Sequence, residues 1–170
     1  VPNAIGLLRE PRLHLLDRQP IDFRDPSGEA TVRVSLHLPL ERTIRTEDVT
    51  THVTGKVTKL HLSGFVAGRD IDQGEVEIDA TDAGMTIKGR TLLAGIPLQV
   101  DAAMEFKDGP PSQIVHRATV TGRPSARQLV AAGLDGGELL AGDVAGSATW
   151  TERRNGQAEV AVEADLTQAV

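Results

Sequence analysis

The sequence predicts a mainly β protein: an elongated, curved antiparallel meander forming a groove or open sandwich, with one short helix near 125–134. Three observations predict it. Apolar and polar residues alternate with period two over most of the stretch from Thr31 to Val120. Clusters of Gly, Asp and Pro separate the alternating runs. A trial register over residues 74–106 satisfies both faces of three strands at once, and a slip of one residue would turn every side chain over.

The elements follow in order along a single expected domain, 1–170. Residues 1–27 hold prolines and no alternation, and read as a loosely structured lead-in. Within them Pro11 is placed to open a short N-terminal helix over Leu13, Leu15 and Leu16. "DPSGE" at 25–29 is turn chemistry. The meander is expected over 28–123. In "TVRVSLHLPL", Val32, Val34, Leu36, Leu38 and Leu40 share a face, and Pro39 marks an edge or a strand end. Leu60, Leu62 and Gly64 are expected to face Ala80, Ile78 and Val76, which sets His61 beside Asp79. Val57 and Leu60 have opposite parity, so a bulge is expected near Thr58–Lys59.

A turn at 81–84 pairs Ala80 with Met85, Ile78 with Ile87 and Val76 with Gly89; the other face pairs Glu77 with Lys88 and Glu75 with Arg90. A turn at Ala94–Gly95 then sets Gly89 on Val100, Ile87 on Ala102, Met85 on Met104 and Lys88 on Asp101. Such cross-strand pairs contribute about 0.2–1 kcal/mol each. After the proline loop "KDGPPSQ", Ala118, Val120 and Gly122 continue the apolar face.

The segment 124–137 breaks the alternation. Ser125 suits an N-cap, and Leu129, Val130 and Leu134 fall on one helical face. Residues 141–168 read as a final hairpin. A three-residue loop with Gly156 at its left-handed end pairs Trp150 with Val160 and Ala148 with Val162, and gathers the apolar side chains better than a two-residue Asn155–Gly156 turn.

Composition narrows the function. Apolar residues make up 39% and aromatics 2%, with one Trp and no Tyr, so any interior is built from Val, Leu, Ile and Ala. The net charge of −6 argues against a nucleic-acid partner. With no cysteine, thiolate zinc sites, Cys nucleophiles and disulfides are excluded. The chain starts at Val1 and has no apolar run near the ~20 residues of a membrane helix. It is expected to be a processed chain or an excised piece of a longer protein, with any anchor outside it.

No residue set shows catalytic spacing, and no enzyme activity, metal or cofactor is expected. "DIDQGEVEID", 70–79, begins like a calcium loop, but its twelfth position is Thr81 rather than a Glu, and a turn feeding an acidic strand is the plainer reading. The five histidines are scattered; His37 and His52 approach only if Leu40 pairs with Val49. Neither G-x-S-x-G nor a phosphate-cradling glycine loop occurs, and Ser63 and Ser147 lack an identifiable base. What remains is the apolar face. The helix is short, so a partly open face is expected, and exposed apolar area of that extent calls for a ligand or partner.

Three stretches, 28–64, 71–100 and 142–169, together resemble the AsmA-like superfamily of bacterial envelope proteins, closest to its large YhdP-type members and more distantly TamB. The most specific phrase is D-x-G-x-x-x-x-D-A-x-x-x-G-x-x-x-x-G, Asp72 to Gly89, followed by "LLAGIPL"; the closing "EADLTQA" also fits. The resemblance covers nearly the whole chain, the first 27 residues only loosely. It implies a periplasmic β segment of an inner-membrane-anchored parent, a groove that carries phospholipid or another acyl-chain lipid between the membranes, and neighbouring β segments of the parent as partners. It carries no catalytic residues. The lining candidates come from strand parity: Val76, Ile78, Met85, Ile87, Val100, Met104 and Val120, with Glu75, Glu77, Lys88, Arg90 and Asp101 on the wet face. Gly89, mid-strand, is expected to allow curvature. The alternative is a scaffolding β module with a sealed core that mediates protein–protein contacts.

Overall fold

The computed structural model describes residues 24–39, 49–66, 68–131, 133, 142–165 and 167. Eight strands form one antiparallel sheet in strict sequence order: β1 (Arg24–His37), β2 (Thr50–Val66), β3 (Arg69–Thr81), β4 (Gly84–Leu93), β5 (Ile96–Glu105), β6 (Ile114–Gly122), β7 (Ala145–Arg153) and β8 (Ala158–Asp165). One short helix, α1 (Ala126–Ala131), interrupts them. The sheet is open and uncurled. It is a single layer of described strands, so no second sheet makes a sandwich and no curling closes a trough.

The register expected for the central strands holds throughout. Ile78 pairs with Ile87, Val76 with Gly89 and Glu77 with Lys88. Met85 pairs with Met104, Lys88 with Asp101 and Gly89 with Val100. Val120 follows on Val100 and Ala118 on Ala102. The last hairpin pairs Trp150 with Val160 and Ala148 with Val162, with Gly156 at φ 82°. The side chain of Ser125 caps α1 by accepting from the Gln128 N–H, and Gln128 Oε1 returns the bond to the Ser125 N–H.

Four expectations are corrected. The first concerns β2 and β3: Val53, Gly55 and Val57 face Ala80, Ile78 and Val76, where Leu60, Leu62 and Gly64 were expected. The apolar positions of β2 run through both candidate stretches, so parity alone could not separate them. His61 therefore lies by Asp72, and His52 by Asp79. The second concerns the first hairpin, where Ser35 meets His52 and His37 meets Thr50, two residues off the register that would set the two histidines opposite. Third, the lead-in does not stop at 27: "DPSGE" lies inside β1, where the same residues make bulges around Ser27, with Asp25 at φ 43° and Gly28 at φ 131°. Last, α1 is shorter than the expected helix; Leu134 lies outside the described residues, as do the expected N-terminal helix and Leu40.

Few side chains are deeply buried. Among the described apolar residues Leu62, Ala80, Ile96 and Val144 are buried, and no side chain is wholly sealed. Three of the four come from the end where β2 and β3 meet and β4 turns into β5, or from just before β7. Thr91, also buried, donates to the Asp72 carbonyl there at 3.0 Å. The helix returns over this end: a Cβ on Gly133 would sit 2.6 Å from the Arg69 guanidinium at the start of β3. No residue of α1 is itself buried, so it covers little.

Two backbone positions carry most of the local constraint. A Cβ on Gly89 would overlap the Glu75 carbonyl oxygen and lie 2.7 Å from the Val76 Cα, neither of which can swing away. Gly89 thus permits the close approach of β3 and β4 rather than curvature. The β4–β5 turn holds both central residues left-handed, Ala94 at φ 51° and Gly95 at φ 80°, a conformation that suits Asn-Gly better than Ala-Gly.

Gly89→Ala is expected to destabilise the fold by about 2 kcal/mol, the range of an overpacked site, seen as a lower urea midpoint. Ala94→Asn removes part of the left-handed penalty and is expected to raise stability by up to about 1 kcal/mol in the same measurement.

Candidate functional site

Strict meander order carries the apolar pattern of each strand straight across the sheet. One row runs Val32, Gly55, Ile78, Ile87, Ala102, Ala118, Trp150, Val160, one residue from every strand. The next runs Ala30, Val57, Val76, Gly89, Val100, Val120, Ala148, Val162. A third begins Val34, Val53, Ala80, Met85, Met104 and ends in His116 and Glu152. All seven candidate residues lie in these rows, and all seven are half-buried. Each is shielded by its row neighbours and by no described element above it.

Sequence counting left out the contributions of β1, β7 and β8 to this wall. Val32, Trp150 and Val160 extend the Ile78–Ile87 row, and Ala148 and Val162 the Val76–Val100 row. The missing link was the connection through α1, across which a register cannot be counted from residue spacing.

The wall changes character at its far end. His116 stacks on Trp150, ring centroids 6.1 Å apart and 7° from parallel, and its Nδ1 lies 3.2 Å from Glu152 Oε2. Trp150 is 37% exposed, the most accessible large side chain of the inner strands.

The opposite face is a ladder of charge. Lys56, Glu77, Lys88 and Asp101 alternate in sign along one row. Lys88 lies 3.4 Å from Asp101 and Lys56 3.9 Å from Glu77, while Arg90 donates twice to Glu75. These pairs are exposed, so their contribution is small and screened by salt. They set which face is wet. Thr119 and Thr149 continue the row through a hydroxyl–hydroxyl bond of 3.1 Å.

The bulged corner of this polar face holds the arrangement nearest to a catalytic one. His61 Nδ1 lies 2.6 Å from Asp72 Oδ1, and His61 Nε2 lies 3.1 Å from Ser63 Oγ. Ser63 therefore has the base that the sequence did not reveal. A nucleophilic serine also needs backbone N–H groups aimed at the developing oxyanion. The Gly64 N–H, next after Ser63, instead donates to Asp70 Oδ1 at 2.8 Å, which puts a carboxylate where negative charge would develop. The chain of bonds braces the β2–β3 corner. The same bonds account for "DIDQG": Asp70 and Asp72 hold Gly64 and His61 rather than a cation. Among the described residues no group of three potential ligands could hold a metal.

Lys59, left-handed at the β2 bulge with φ 53°, reaches Glu29 at 2.7 Å. Its hydrogen bond and charge hold the Glu29 carboxyl below its ordinary range, and Glu29 in turn raises the Lys59 amine. The stability this pair adds is present above the unfolded-state value of Glu29 and is lost as pH falls through the lowered folded value; at the basic end it is lost as pH rises through the raised value of Lys59.

Set against known protein families, curated proteins and solved structures, the chain matches none.

Lys59→Met is expected to return the Glu29 carboxyl titration upward to the ordinary 4.5, followed by NMR of the carboxyl carbon, with little change in stability because both groups are exposed.

Proposed function

We propose that this sheet is an acyl-chain-binding wall: a segment of an envelope protein whose apolar face helps carry phospholipid between two membranes. The observation behind the proposal is the pair of uninterrupted apolar rows, eight strands wide, on a single-layer sheet with no described element over its middle. A bare apolar face of this width calls for an occupant. Aliphatic side chains of similar height, with few aromatics, suit a flexible hydrocarbon chain better than a planar or sugar ligand. The charged opposite face keeps the sheet in water while the wall is occupied. The resemblance to AsmA-like proteins supports the same function and supplies the periplasmic setting. A scaffolding module with a sealed core needs a cover over the wall, and no described element supplies one.

The only tryptophan reports on the site. Trp150 lies in the Ile78–Ile87 row, so phospholipid brominated along its acyl chains is expected to quench its fluorescence. Ile78→Asp with Ile87→Asp is expected to abolish the quenching while far-ultraviolet circular dichroism stays that of a β protein. Unquenched Trp150 in the unaltered chain would overturn the reading. So would loss of the β signal in the double variant, which marks a sealed core.

A further inference from the structure

We propose that the two free edges of the sheet are complementary, and that β8 of one molecule adds to β1 of a second copy to continue the meander. This goes beyond the lipid reading and does not depend on it. The largest exposed apolar side chains of the structure lie mainly on these two strands: Val34 is 52% exposed and Leu36 61% on β1, Val160 64% and Val162 71% on β8. Their row neighbours on inner strands are half-buried. What differs is a missing strand on one side, and among the described residues none pairs with the outer edge of either β1 or β8.

Topology makes the two edges compatible. In a meander of eight strands β1 and β8 run in opposite directions. A copy displaced sideways, without being turned, therefore presents β1 antiparallel to β8 and keeps the apolar face on the same side. The rows through Val32 and Ala30 cross all eight strands without a break, so the outward-facing backbone groups also match.

Charge selects the register. On the wet face β8 carries Glu159 and Glu163, and β1 carries Arg33 and His37. Among the described residues, Arg33, Glu159 and Glu163 make no ion pair, unlike the inner cations Lys56, Lys88 and Arg90. Setting Glu163 opposite Arg33 brings Glu159 opposite His37 and, on the other face, Val162 opposite Val34 and Val160 opposite Leu36. This register uses only the regular part of β1. A slide of four residues would set Glu163 on Glu29 and reach the bulge at Ser27. Edge charges ordinarily guard a sheet against self-association. A guard against pairing with its own copies would carry one sign at both edges, whereas here the signs are opposite. The contact is head-to-tail, so it propagates to open oligomers rather than a closed dimer.

The test uses the whole chain, which has no cysteine of its own. Under mild oxidation Val34→Cys with Val162→Cys is expected to give a ladder of disulfide-linked dimers, trimers and longer species, and Val34→Cys with Ala161→Cys, on the wrong face, is not. By sedimentation velocity at low salt, mass is expected to rise with concentration. Arg33→Glu is expected to weaken association about tenfold, and adding Glu163→Arg to restore it. A single monomeric mass at all concentrations overturns the proposal, as do equal ladders from both cysteine pairs, a disulfide closed within one chain, or no rescue by the charge swap. Each readout is made without lipid, so failure of lipid binding leaves the result intact.

Discussion

The physical constraint on which the structure depends is the two-residue period of the strand, kept in phase across every antiparallel pair. A sheet of one layer has no interior to enforce order. It has cross-strand neighbours, each pair worth about 0.2–1 kcal/mol, and it keeps its two faces distinct only while the phase is kept. Lys56, Glu77, Lys88 and Asp101 on one side and Gly55, Ile78, Ile87 and Ala102 on the other are successive residues of the same four strands. A slip of one residue anywhere would bring charges into the apolar rows.

The bulges show how the phase survives interruption. The extra residue of β2 near Thr58–Lys59 would flip all that follows if β3 ran straight. β3 carries its own extra residue near Gln73, so Leu62 and Ile71 meet in the register that Val57 and Val76 set. β1 bulges at the same level, around Ser27. Left-handed Lys59 and Gln73 are the local cost of this matching. Leu62 thereby returns to the apolar side and becomes the most buried of the described core residues, while His61 and Asp72 stay on the polar side and brace the corner.

Much of this was legible in the sequence, for a physical reason. In β3, β4 and β5 the turns are short, so each turn fixes one register and the two faces test it independently; Glu75–Arg90, Ile78–Ile87 and Lys88–Asp101 follow from counting. The final hairpin was legible likewise, because Gly156 marks the left-handed end of its loop. β2 was not. It is 17 residues long, and its two apolar runs, Val53–Val57 and Leu60–Leu62, lie on either side of a bulge. Either run satisfies the apolar face of β3, and only packing decides between them. The brace of Ser63, His61 and Asp72 stayed hidden for the same reason, since it requires the register that the bulge obscured. The continuation of the wall into β7 was hidden by the helical connection.

A sheet with so little buried side chain is stabilised strand by strand, and its two proposed properties follow separately from that. At ~4.8 Å per strand the eight strands make a wall roughly 38 Å wide, longer than one leaflet's share of a ~30 Å hydrocarbon core. A single copy therefore offers enough surface for a whole acyl chain, and lipid binding needs no second molecule. Edge pairing in turn needs no lipid, because its gain is the half-burial of Val160, Val162, Val34 and Leu36 and the pairing of charges that face no strand. The two meet only in geometry: a copy added at β8 keeps the same face apolar, so each addition lengthens the wall without altering its chemistry. Width is then set by the number of strands in line, and affinity for any one chain by the few rows beneath it.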